Sequence, residues 1–90
     1  MNIYDIAVKY EEFKKSRQKY SDIQITDDSE IVLDGCRRVI EYNENNIVLE
    51  LPTVCVSVVG MGLNMRNFSV GGIVITGKLH SVTFISKEEI

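Results

Sequence analysis

Few residues in this chain have the type and spacing that chemistry requires. His80 is the sole histidine. With Ser57, Ser69 or Ser81 and an aspartate it could supply a nucleophile and its base. However, no serine sits in a GxSxG elbow, and His80 and Ser81, as neighbours on a strand, point to opposite faces. Cys36, Cys55 and His80 could offer thiolate and imidazole to a metal. A structural zinc needs about four ligands at local spacing, and these three residues stand alone. Gly60-Met61-Gly62 and Gly71-Gly72 resemble a phosphate loop in glycine content only. A phosphate cradle opens a helix, and here Leu63, Met65 and Phe68 continue a strand-like pattern. The paired carboxylates Asp27-Asp28 and Glu88-Glu89 fall in a turn and a tail, where charge is solvated. We therefore expect no catalytic residues, no metal and no cofactor.

The elements that would have to position any such group are better defined. One phrase, apolar-any-apolar-any-Gly, occurs three times: Ile31 to Gly35, Val56 to Gly60 and Ile73 to Gly77. An apolar residue follows each glycine by five positions: Ile40, Met65 and Val82. Residues i and i+2 of a strand share a face, and glycine permits the bulged or φ > 0 geometry that re-aims a chain. Gly35, Gly60 and Gly77 are expected to be structural pivots between strands, with the apolar pairs before them buried. Strands are predicted at 23–26, 30–34, 38–42, 46–51, 54–59, 63–68, 72–76 and 79–85. Asp27-Asp28-Ser29, Asn43-Glu44-Asn45 and Gly71-Gly72 supply the turn chemistry between them, and Pro52 closes one strand.

Before Ile23 the period differs. Residues 2–19 read as an amphipathic helix whose apolar stripe includes Ile3, Ile6, Tyr10 and Phe13. Its basic end carries Lys14, Lys15, Arg17 and Lys19. These eight residues are the candidate interaction face, which docks on the sheet, on another subunit or on a membrane surface. Residues 1–20 have a net charge of +2 and the remainder −5. The acidic body argues against nucleic acid, because phosphate binding needs a basic face.

Ninety residues, 44% of them apolar, suit one domain. The expected layout is a helix over 1–20, a β-domain over 23–85 and a tail over 86–90. The fold expected is mainly β: a small antiparallel meander of short strands closing into a sandwich, roll or barrel, with a short β-solenoid as the alternative. Cys36 and Cys55 read as buried free thiols. No stretch approaches the roughly 20 apolar residues of a membrane span, so a cytoplasmic location is expected.

The run IVLDGCRRVIEYNENNIVLEL, then VSVVGMGLNMRNFSVGGIVITGKLHSVTFI, resembles the YabP/YqfC family of sporulation proteins across Ile31–Ile85. The order and spacing of the strand-Gly-strand units carry the resemblance, most specifically the closing unit that ends at Phe84. It implies a non-enzymatic protein of the mother cell, needed to build the spore envelope and often encoded beside membrane-protein partners, so a membrane protein of the sporulation apparatus is an expected partner. Self-association through sheet edges is also expected of so small an open sheet. The alternative function is a small ligand- or anion-binding β-barrel module.

Overall fold

A computed structural model describes residues 19–89. The strands are β1 (Asp22–Thr26), β2 (Glu30–Asp34), β3 (Arg38–Tyr42), β4 (Asn46–Glu50), β5 (Cys55–Ser69) and β6 (Gly72–Ile85). They form one antiparallel sheet in the order β1-β2-β6-β5-β4-β3. The solenoid alternative is thereby excluded. The helix expected before Ile23 lies outside the described residues, save that Lys19 and Tyr20 are exposed and not helical. The tail is not featureless: Lys87–Glu89 make a 3-10 turn.

Two expectations need correction. Eight strands become six, because the units on either side of Gly60 and Gly77 run on as the long strands β5 and β6. The glycines bend these strands without ending them. At Gly60 the register with β6 shifts, Val59 opposing Ser81 and Gly60 opposing Leu79, so His80 is the extra residue of a bulge. Gly77 has a φ of 136°. A Cβ at Gly60 would stand 2.1 Å from the Lys78 carbonyl oxygen, and one at Gly77 would stand 2.7 Å from that of Gly62. The two strands thus bend together where their backbones are closest. Gly35 differs: it follows β2 and begins the link to β3, and both its N–H and that of Cys36 donate to the Gly71 carbonyl at 3.0 Å.

The second correction is closure. The sheet is open: β1 and β3 are its outermost strands, and the β5 stretch Asn64–Ser69 and the β6 stretch Leu79–Ile85 also lack a strand on one side. Each flanking hairpin is pinned to a bend of the central pair through its turn. Gly77 and Leu79 N–H donate to the Ser29 and Asp28 carbonyls, at 3.3 and 2.7 Å. Gly60 and Leu63 N–H donate to the Asn45 and Glu44 carbonyls, at 3.0 and 2.8 Å. The β1–β2 hairpin is held at one bend and the β3–β4 hairpin at the other, so the outer strands finish at opposite ends of the order.

The core follows from four rows across the inner face. They are Ile25-Ile31-Ile75-Met65, Ile23-Leu33-Ile73-Asn67, Tyr42-Ile47-Val58-Val82 and Val39-Leu49-Val56-Phe84. The two middle residues of every row are at most 2% exposed, and all eight join one apolar cluster with Cys36, Leu51, Leu63 and Leu79. Aliphatic side chains therefore fill the interior that a ligand-binding barrel would leave open. Burial of each such side chain stabilises by about 1.5–3 kcal/mol.

Candidate functional site: edges and rim of the open sheet

The rows are buried at their middles and open at their ends. Ile25, Tyr42 and Phe84, each at one end of a row, are 50%, 45% and 62% exposed. Alternation continues to the margin, but no further strand covers it. They stand on three different strands, β1, β3 and β6, as the exposed apolar ends, or rim, of the inner face, and Ile40 and Phe68 are exposed apolar residues as well. On the outer face Val59 and Met61 are also exposed, separated by the buried Gly60.

The two edge strands differ. β3 is interrupted by a register shift between Val39 and Glu41, which leaves Ile40 unpaired on the outer face. Tyr42 hydroxyl accepts from Met65 N–H at 3.1 Å and lies 3.3 Å from Asn64 Oδ1, tying the end of β3 to β5. Arg38 Nε donates to Glu50 Oε1, and Lys87 Nζ donates to Glu50 Oε2 at 3.1 Å and to the Pro52 carbonyl at 3.1 Å. Partial burial disfavours the charged Glu50 carboxylate, but hydrogen bonds from Arg38 and Lys87 outweigh that and hold its pKa below the usual carboxylate value. Arg38, Ile40, Glu50, Cys55 and Lys87 enclose a shallow depression of about 280 Å³.

β1 has none of these devices. It pairs with β2 in unbroken register from Asp22↔Asp34 to Thr26↔Glu30. Its outer face carries Asp22, Gln24 and Thr26, all exposed. Asp22, Ile23, Gln24, Val32 and Asp34 border a second depression, of about 390 Å³. The turn that follows holds Asp27 at a φ of 47° and pairs Asp28 with Lys78. The hydrogen bond and charge of Lys78 lower the Asp28 pKa.

The residues considered for chemistry lie apart. His80 is exposed at the bulge, Ser69 opposes Gly72 at the far turn, and Ser57 opposes Thr83, its hydroxyl 3.2 Å from Asn46 Oδ1. Cys36 belongs to the inner cluster, whereas Cys55 is buried in the outer row Arg38-Glu50-Cys55-Ile85. Burial pushes the Cys36 thiol up to about 12. Among the described residues no three His, Cys, Asp or Glu side chains gather as a metal site. No helix among them is long and apolar enough to cross a membrane. Of the eight residues assigned to an interaction face, Ile3, Ile6, Tyr10, Phe13, Lys14, Lys15 and Arg17 lie outside the described residues, and Lys19 is exposed just before β1.

Sequence reasoning did not find the Arg38–Glu50–Lys87 cluster. Its first pair was out of reach: a turn centred on Glu44-Asn45 sets Tyr42 opposite Ile47 and would set Arg38 opposite Leu51, and only the register shift at Ile40 brings Arg38 opposite Glu50. Lys87 gave no signal either, since its partner is 37 residues away. The asymmetry between β1 and β3 also carried no signal, because a one-residue bulge is invisible in alternation.

No curated protein and no solved structure matches this chain. The model of the YabP family matches residues 17–90, reaching further toward the N-terminus than the strand pattern alone. The chain thus belongs to the YabP family, a family associated with sporulation.

Proposed function

We propose that this protein acts by contact, as a non-enzymatic structural or adaptor protein of endospore envelope assembly, in cortex or coat. Its partners are further copies of itself and a membrane protein of the sporulation apparatus, met at the mother-cell face of the forespore membrane. Family membership supplies the process. The observation that supports contact is the apolar rim: Ile25, Tyr42 and Phe84 continue the core rows yet stand exposed at the sheet margin. Apolar side chains left exposed at unpaired strand margins are candidate contact points. The acidic body makes nucleic acid a poor partner.

The test replaces Phe84, which at 62% exposure contributes little to the fold. A Phe84→Asp protein should keep its β-sheet circular dichroism, while cells carrying it should form spores with a defective envelope. Normal spores from that variant would remove the rim from the proposal. Normal spores from a strain lacking the gene would remove the functional assignment itself.

A further inference from the structure

We propose that two copies of this chain join through β1, antiparallel across a twofold axis at Gln24, so that two six-stranded sheets become one. This rests on the self-association proposed above and names its site. Edge strands normally defend themselves with Lys, Pro, a bulge or a covering element. β3 has its bulge and the ion-paired Arg38. β1 is Asp-Ile-Gln-Ile-Thr, regular over its full length, with no such defence among the described residues.

The strand is also complementary to itself. With Gln24 opposite Gln24 of the second copy, Ile23 faces Ile25 on the inner side and Asp22 faces Thr26 on the outer. No like charges oppose, and the exposed Ile25 gains an apolar cross-strand neighbour of the kind that stabilises sheets. The equivalent arrangement of β3 would set Val39 against Glu41 and would have to cross the bulge at Ile40. Charge extends the match. Continuing the β1 register toward the N-terminus brings the exposed Lys19 level with the Asp27–Ser29 turn of the second copy. Asp27 makes no ion pair among the described residues. Arg17 precedes it in sequence.

Gln24 is the position to test, because it is exposed in the monomer and opposes only itself in the dimer. Light scattering of the full chain should give a dimer. Gln24→Lys and Gln24→Glu should each weaken it about fivefold or more, with unchanged circular dichroism, and mixing the two should restore association. A Gln24→Cys protein should form an interchain disulfide under mild oxidation, since opposed Cα atoms lie about 4.5–5.5 Å apart, within disulfide range. Thr26→Cys should not, its two copies being about 13 Å apart. A monomer at every concentration, as when residues 1–18 of the same chain cover the edge, would overturn both this pairing and self-association. A dimer indifferent to both Gln24 charges, or one crosslinked at Thr26 and not at Gln24, would overturn the β1 assignment alone.

Discussion

The β1–β2 and β3–β4 halves follow one plan and finish it differently. Each is a hairpin of two five-residue strands whose turn carbonyls cap the amides of a bend in the central pair. Each sends two inner rows into the core, where Ile31, Leu33, Ile73 and Ile75 of one half mirror Ile47, Leu49, Val56 and Val58 of the other. The third phrase and the second thus play matching parts, and Met65 and Val82, each five residues beyond its glycine, occupy equivalent half-buried places. The difference lies at the margin. The β3 half is bulged, cross-linked by Arg38, Glu50 and Lys87, and tied down by Tyr42, whereas the β1 half ends in a plain strand. One plan can therefore give a finished edge and an available one, the outcome being set by a few peripheral residues rather than by the core.

The largest break in this symmetry should come from the bends. Gly60→Ala and Gly77→Ala each drive a Cβ into backbone oxygen, and Gly77 also holds a left-handed φ. Either should cost on the order of 3 kcal/mol or more, measured by urea denaturation, since the neighbouring atoms are main chain and cannot yield. Gly62 sharpens the point. Its φ is 60° but nothing lies within 4 Å of its absent Cβ, so Gly62→Asn should be nearly neutral.

Next come the rows. Ile75→Ala and Ile47→Ala remove fully buried side chains from opposite halves, and each should lose about 2–5 kcal/mol. Ile25→Ala, at a half-exposed row end, should lose under about 1 kcal/mol. A large difference between Ile75 and Ile47 would show that the halves are not equivalent in energy.

A smaller effect separates the halves by pH. Glu50 has a lowered pKa in the folded protein, so it binds fewer protons folded than unfolded between its two pKa values. Its contribution is present above the ordinary value of about 4.5 and is lost as pH falls through the lower, folded one. Thermal unfolding from pH 6 to pH 3 should show a falling Tm, and Glu50→Gln should flatten part of that slope. The smallest effect is chemical. With its pKa near 12, the Cys36 thiol should resist a disulfide reagent at pH 8 until the protein unfolds.

Most of the sheet was legible because burial imposes period two. Ile31, Leu33, Val56, Val58, Ile73 and Ile75 all fall where alternation puts them. The turns at Asp27–Ser29 and Asn43–Asn45 were legible from their own chemistry: the Asn43 side chain accepts from the Asn45 and Asn46 amides at 2.8 and 2.9 Å. What alternation could not show was whether a glycine ends a strand or bends it, since both outcomes permit the same residues. That depends on whether another backbone approaches the glycine, a tertiary fact seen where Gly60 meets Lys78 and Gly77 meets Gly62. Closure was equally out of reach, because it depends on which hairpin docks at which bend. The candidate contact edge was legible in part: alternation identified Ile23 and Ile25, but only strand order shows β1 to be an edge.

Hydrogen–deuterium exchange of the full chain at two protein concentrations tests the contrast between the edges most directly. The account predicts that amides of β1 gain protection as concentration rises, while those of β3 exchange at the same rate throughout. Concentration-dependent protection in β3 with none in β1 would contradict it.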